Sequence, residues 1–576
     1  RINSRSIELL NFFLLNHLIF SSLESFEKPI IFFGIIFFSL CKYKLKQTQY
    51  NLSHYTMNNI NLFNGDEINQ KTILGHPSGL FTLFFTEMWE RFSYYGMRAI
   101  LILFLISSMV GENPGWGWER SDALVLYGWY TGLVYITPIF GGLIADRYIG
   151  YRKAIVVGAL LMTLGHAAMA LEVFYDIFLY LGLSLLILGN GLFKPNISSI
   201  VGQMYKDDGK IKDAAYTIFY MGINAGAFLG ILLCGYIGEF EGWHYGFGLA
   251  GIFMFFGMLQ FHFGQQIFGS IGLRPGENKN ELKVKADQNN VPRKTVIDRL
   301  IVIGIFSFVT IFFWWGFEQA GGSMTIFAND YTNRDLVGDG ALAFKIINSL
   351  LVIVPMIILT IILYYLFNNT FQKYAISNIF LGSSFIIIWG LIIWMLNKEF
   401  AKSATEVPAS WFAILNSFFI IVFAPVLSKI WQSKYNPSGP VKFGIGLMLL
   451  SIGFAILSYG SINIPLGAYT ASQSMIFLIL AYLFHTLGEL CVSPVGLSYV
   501  SKLAPQKLVG LMFGVWFVAN FIANLSAGIT GSFLDPIVED YGMSVFFLIF
   551  TILPAFVGLL MIVANKKIVS MMHGIN

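Results

Sequence analysis

From Leu80 onward the chain alternates long apolar runs with short polar loops. A hydrocarbon core takes about 20 apolar residues per spanning helix. Segments near 81–105, 123–145, 153–173, 177–202, 214–237, 245–268 and 299–328 fit that requirement. So do 342–367, 375–397, 410–432, 443–460, 471–501, 508–534 and 543–566. The pattern predicts an all-α polytopic membrane protein of fourteen spans, and the even number places both ends on one side. Residues 1–56 read differently. Their apolar runs, such as 29–40, are short for a span and are separated by Glu24, Glu27 and Lys28. They lack the order of a signal peptide, and no methionine precedes Met57. The expectation is an over-extended start with translation beginning at Met57; a genuine N-terminal hairpin or amphipathic segment is the alternative.

Loop charges set the orientation. Arg147, Arg152 and Lys153 follow the second span. Arg274, Lys279, Lys283, Lys285, Arg293, Lys294 and Arg299 follow the sixth, against Glu277, Glu281, Asp287 and Asp298. Lys429, Lys434 and Lys442 follow the tenth, and Lys502 and Lys507 the twelfth. The alternate loops carry Glu112, Glu119 and Asp122, then Glu239 and Glu241, then Asp535, Glu539 and Asp540. The positive-inside bias predicts both termini in the cytoplasm.

The second and tenth spans echo each other. Each holds a proline deep in an apolar helix, Pro138 or Pro425, before a charged exit at Asp146-Arg147 or Lys434. Halves related by a repeat are common in secondary transporters. The echo divides the chain into a cytoplasmic N-terminus (57–80), a six-helix bundle (81–268), a cytoplasmic linker (269–298) and a second bundle (299–328 with 410–566). Residues 342–397 become an inserted hairpin. It has no intramembrane Asp, Glu or Arg, so a peripheral, lipid-facing pair is expected.

Composition narrows the function. The 576 residues are 56% hydrophobic and only 12% charged, against about 25% charged in soluble domains. A soluble enzyme is excluded. The net charge of +4, without a Lys/Arg-rich run, gives no nucleic-acid footprint. Cys41, Cys234 and Cys491 lie far apart and form no metal or disulfide framework. Phosphate-loop, zinc-protease and nucleophile-elbow motifs are missing, so neither ATP-driven pumping nor intramembrane hydrolysis has its parts.

Charge inside a span costs about 2.5–3.5 kcal/mol at the helix centre, so such residues are functional candidates. In the first span Glu87, Glu90 and Arg91 fall at i, i+3 and i+4, on one helix face. Two carboxylates beside one guanidinium cannot both ionise cheaply in a low dielectric, so the cluster can exchange a proton. Tyr94, Tyr95 and Arg98 extend that surface. Lys194 follows Gly189-Asn190-Gly191-Leu-Phe and precedes Pro195; the glycines and proline are expected to loosen the helix there. Glu318 and Glu489 are anions of the second half. A cavity between halves would be bipolar, which suits a zwitterion with separated amine and carboxylate. Asn224 and Asn416 could bond an amide, with interhelical packing as the alternative role. Tyr95, Tyr135, Trp314 and Trp516 are candidate pocket walls, and Ser493 lies one turn beyond Glu489.

At these residues a family resemblance appears. Glu87-Met-Trp-Glu90-Arg91-Phe92-Ser-Tyr94-Tyr95-Gly96 resembles the Glu-x-x-Glu-Arg-Phe-x-Tyr-Tyr-Gly signature of proton-dependent oligopeptide transporters, a branch of the major facilitator superfamily. Phe219-Tyr220-Met-Gly-Ile223-Asn224-Ala-Gly226 is similar to its second signature, and 142–153 to the superfamily's loop between helices 2 and 3. The resemblance spans about residues 76–568. It implies a 6+6-helix facilitator fold carrying the extra hairpin, and proton-coupled uptake of di- and tripeptides by alternating access across the plasma (inner) membrane. It implies no cofactor beyond the proton, no catalytic residue and no metal. The expected partners are peptides, protons and membrane lipids, with the monomer as the working unit.

Carried over by position, Glu87, Glu90, Arg91, Lys194 and Glu318 couple protons. Arg91, Tyr95, Arg98, Tyr135, Lys194, Asn224, Trp314, Asn416, Glu489, Ser493 and Trp516 form the substrate site. Lys194 would meet the peptide carboxylate and Glu489 the amine. Protonation would free Arg91 and Lys194 from carboxylate partners. Two departures stand out: Ser417 replaces a usual proline after Asn416, and the hairpin falls between family helices 7 and 8. Another substrate, such as nitrate or a peptide-like metabolite, and a sensor that binds without transport are the rival readings.

Overall fold

The computed structural model describes residues 63–206, 209–274, 292–505 and 508–575. The leader 1–56 and the start of the expected N-terminal segment lie outside the described residues. So do Lys507 and linker residues 275–291, with Glu277, Lys279, Glu281, Lys283, Lys285 and Asp287.

Among the described residues, fourteen long helices carry the fold. The first half holds α1 (Ser78–Ile106), α2 (Arg120–Ile144), α3 (Tyr151–Ala170), α4 (Ile177–Gln203), α5 (Lys210–Phe240) and α6 (Trp243–Gly264). The second holds α7 (Arg293–Phe317), α8 (Gly338–Thr370), α9 (Ala375–Ala401), α10 (Ile414–Trp431), α11 (Gly439–Gly460), α12 (Ile476–Leu503), α13 (Val509–Gly531) and α14 (Met543–Val563). Among the described residues, thirteen helices are long and apolar enough to cross a membrane by composition. The other, α1, has 29 residues but carries Glu87, Glu90, Arg91 and Arg98; the first three are buried and Arg98 is partly buried.

The seventh span departs from the expected continuous helix over 299–328. It is α7, a 3-10 turn at Glu318–Gly321, then a short helix Ser323–Asp330. Gly321 and Gly322 explain the break. A Cβ on Gly321 would sit 1.7 Å from the Tyr127 hydroxyl, so only glycine lets the turn pass α2. The fourth span corrects the opposite expectation: α4 runs unbroken through Gly189–Pro195. Its glycines serve close packing instead. A Cβ on Gly191 would meet Thr137 of α2 at 2.6 Å, and one on Gly189 would meet Met162 of α3 at 2.6 Å. Small residues let helix backbones approach where no water drives association. Around Asn416 the chain is likewise regular, a 3-10 turn at Ala409–Ala413 leading into α10, with Ser417 buried.

The halves meet twice in the same way. α2 packs on α13 and α10 on α5. In a repeat that matches α2 with α10 and α5 with α13, these are one contact made twice. At the α2–α13 crossing Gly128 and Gly528 are nearly in backbone contact, a Cβ on Gly528 falling 2.5 Å from the Gly128 Cα. This crossing lies toward the end of the molecule opposite the chain termini. Ionic contacts close that opposite end. Arg120 of α2 reaches Asp330 at 2.5 Å and Asp535 at 2.9 Å, and Glu239 of α5 accepts backbone N–H groups from Ala409 and Ser410.

The hairpin α8–α9 follows the seventh span in sequence but docks on the first half, against α6 and α1. It is peripheral, with Ile386 and Tyr364 exposed. Its inner face packs on the first half. Phe385 packs edge-on against Phe85 and Trp89 of α1, and Ser377 donates to the Gln260 carbonyl at 2.6 Å. Polar ties hold both ends. At the terminal end Lys373 pairs with Asp66 at 2.7 Å, and Asn369 donates to Ser78. At the opposite end Tyr236 of α5 donates to Glu399 at 2.6 Å, and Lys398 pairs with Glu241. A two-stranded ribbon, Asp335–Leu336 against Thr405–Glu406, joins the hairpin's two connections.

Candidate functional site

Helix periodicity stacks Glu87, Glu90 and Arg91 on the face of α1 that meets α4 and α5. Arg91 Nε lies 2.7 Å from Glu87 Oε1 and 2.8 Å from Glu90 Oε2. That nitrogen has one hydrogen, and it points at Glu87. Glu90 Oε2 keeps the charge contact but has no hydrogen-bond donor. Glu90 Oε1 accepts from Asn190 Nδ2 at 3.1 Å. Glu87, Glu90 and Arg91 are 2%, 0% and 3% exposed, so the cluster is almost wholly buried. Two carboxylates and one guanidinium leave one negative charge uncompensated there. A single bound proton would balance it.

Two turns farther along α1, Arg98 crosses to the second half. Its Nη2 pairs with Glu318 and its Nε donates to the Tyr127 hydroxyl, with the guanidinium 5.4 Å over the Tyr127 ring. Glu318 owes this position to the break at the end of α7. Its partner is Arg98, not Arg91 or Lys194.

Lys194, half-buried on α4, stands 4.8 Å over the ring centre of Tyr135. Among the described residues it has no carboxylate at ion-pair distance, which corrects the expectation of a carboxylate partner in this conformation. Across the cavity, Glu489 Oε2 accepts from Asn416 Nδ2 at 2.8 Å. The same amide lies 3.2 Å from Thr486 Oγ1. Glu489 also has no cation at ion-pair distance among the described residues.

These groups border one cavity of about 350 Å³ between the halves, within the range of ligand pockets. Its wall includes Glu87, Arg91, Tyr95, Arg98, Tyr135, Lys194 and Asn224 from the first half. Trp314, Asn416, Glu489, Ser493 and Trp516 come from the second. Glu90 and Glu318 sit behind the wall, bonded to groups that form it. Asn224 donates one of its two amide hydrogens to the Tyr220 carbonyl at 3.0 Å, leaving its other hydrogen and its oxygen available. Tyr220 and Leu497 border the cavity on the side of the chain termini and are 41% and 42% exposed. The cavity therefore opens toward the terminal end while the opposite end is closed.

Several contributors were not among the sequence candidates. Tyr127 carries Arg98, Asn190 carries Glu90, and Asn520, Ser410 and Tyr220 join the wall. Asn190 had a signal: it precedes Lys194 by one helical turn. Tyr127 and Tyr135 stand eight residues apart on one face of α2. Asn520 follows Trp516 by one turn on α13. Ser410 offered no local pattern.

Comparison with known proteins gives a consistent result. A family model described as the POT family matches residues 152–286 and 381–544. A di-/tripeptide transporter of Lactococcus lactis subsp. cremoris is 33% identical over 527 residues, covering 87% of this chain and 98% of the relative. Among solved structures, a peptide transporter in complex with alafosfalin superposes with a TM-score of 0.67 at 28% identity, covering 88% of this chain and 98% of that one. A POT family transporter in complex with 5-aminolevulinic acid gives a TM-score of 0.68 at 26% identity, covering 86% and 98%.

Proposed function

The chain belongs to the POT family, and from that premise we propose that it is a secondary active transporter that carries di- and tripeptides with protons into the cell. One observation carries the substrate class. Lys194 and Glu489 face one cavity from opposite halves, and among the described residues neither has a counter-ion at pairing distance. A zwitterion supplies both missing partners, its carboxylate at Lys194 and its amine at Glu489. Asn224 and Asn416 border the same cavity and could bond the amide groups between those ends. The ligands named for two similar structures, alafosfalin and 5-aminolevulinic acid, are in keeping with this class.

Proton coupling rests on Glu87, Glu90 and Arg91, and on the Arg98–Glu318 pair that joins the halves. A proton on the first cluster balances its surplus negative charge. A proton on Glu318 releases Arg98 and loosens the closed end, together with rupture of the Arg120 contacts to Asp330 and Asp535. Peptide and proton together then favour closure around the loaded site, and opening toward the terminal end releases both. Coupling follows only where each ligand binds the two conformations unequally.

The terminal end carries Arg147, Arg152, Lys153, Lys434 and Lys502, and it is assigned to the cytoplasm by the positive-inside rule. The conformation described is then inward-facing, in a monomer of the plasma membrane.

The test is uptake of labelled dialanine by liposomes holding the purified protein, with and without an inward proton gradient and a negative-inside potential. Accumulation that needs the gradient and is competed away by unlabelled dipeptide is the expected result. Binding without accumulation would identify a sensor, and absence of binding would overturn the peptide assignment.

A further inference from the structure

Asn190 lies on α4, one turn before Lys194, and is 1% exposed. The flanking Gly189 and Gly191 press α4 against α3 and α2, which holds the amide against α1. Its Nδ2 donates to Glu90 Oε1 at 3.1 Å. Its Oδ1 is buried without a hydrogen-bond partner, as are Glu90 Oε2, Glu87 Oε2 and the Tyr130 hydroxyl.

An ionised carboxylate only accepts hydrogen bonds, whereas a protonated one also donates. A primary amide presents a donor and an acceptor on one centre. We propose that Asn190 is a positioning residue of proton coupling, a two-state partner that bonds Glu90 through Nδ2 when the carboxylate is charged and through Oδ1 when it is protonated.

Every group around Glu90 fits this assignment. α1 supplies Glu87 and Arg91, and α4 supplies Lys194 as the other charge acting on Glu90. α2 supplies Tyr130. α6 presents the apolar Phe253 and Met254 to Trp89, Phe92 and Ser93, and α5 presents the glycine backbones of 226 and 230. Among these groups Asn190 is the neutral side chain bonded to Glu90, so a proton can come and go without changing the charge of the partner that holds it.

The inference rests on the transport reading above, and the experiment separates the two. Wild type, Asn190→Ala and Asn190→Thr are reconstituted, and proton-driven uptake and counterflow of dialanine are measured over a pH series. Alanine removes both bonds. The bond to the charged form is the stronger, roughly twofold, so the charged form loses more. The midpoint of proton-driven uptake is expected to move about one unit to higher pH, while counterflow falls by less than uptake does. Threonine, whose hydroxyl donates and accepts, is expected to bring the midpoint back. A wild-type midpoint in Asn190→Ala, or equal shifts in both variants, would overturn the role. A wild type that shows no proton-driven accumulation would instead overturn the transport reading.

Discussion

Lys194 and Glu489 are opposite in charge and alike in circumstance. Each is held in a cavity wall, and each leans on a neutral group, the Tyr135 ring or the Asn416 amide. A charge-assisted hydrogen bond is worth about 1.5–3 kcal/mol. Glu489→Gln is therefore expected to raise the KM for dialanine about ten- to a hundredfold. A dipeptide with a blocked amine never formed that bond, so its poor uptake should hardly change. Equal losses for both substrates would remove Glu489 from amine recognition. Glu318 acts differently, because its partner Arg98 belongs to the other half. Glu318→Gln keeps the shape and removes the charge. Gradient-driven accumulation should be lost while exchange of labelled for unlabelled dipeptide persists. Accumulation at the wild-type level would show that the Arg98 pair does not carry coupling.

The break in the seventh span turns one glycine into a functional part. Gly321→Ala would drive a methyl group to 1.7 Å from the Tyr127 hydroxyl and 2.7 Å from its ring carbon. Tyr127 must move and Arg98 loses a support, so uptake should fall about tenfold or more. Tyr127→Phe in the same chain removes the closest atom and should restore part of the loss. A double variant no better than the single would place the defect in the α7 backbone instead. The clash also shows where sequence reading stops. The first span was legible because Glu87, Glu90, Arg91 and Arg98 stand out in an apolar helix, and the bipolar cavity followed from Lys194, Glu318 and Glu489. Apolar length also located the fourteen helices. The need for glycine at 321 depends on a tyrosine 194 positions earlier, which no local pattern reveals. The glycines of α4 misled for the same reason. Read locally they loosen the helix, whereas their contacts with Thr137 and Met162 show close packing.

At the scale of the molecule, the hairpin is chained to one half and fastened to the other. Ser377, Phe385, Lys373, Lys398 and Glu399 bind it to residues of the first half. Its covalent connections run to the second half through 331–337 and 402–408. If the halves rock during transport, α8 and α9 travel with α1 and α6, and those connections absorb the motion. Paired cross-links separate this from a hairpin that slides. A Cβ on Gly264 would lie 3.4 Å from the Ser377 Cβ, near the Cβ separation of a disulfide, about 3.5–4.5 Å. The pair Gly264→Cys with Ser377→Cys should oxidise readily and leave uptake within about twofold of the reduced protein, because both sites sit on one moving body. Arg120 and Asp330 instead face each other across the closed end. Cysteines there, bridged by a short bifunctional thiol reagent, should stop uptake, and a cleavable bridge should give back the activity left after the substitutions. Should the hairpin disulfide arrest transport as the gate bridge does, α8–α9 must move against α6 in every cycle. The hairpin would then be a moving part of the transporter rather than an outrigger of its first half.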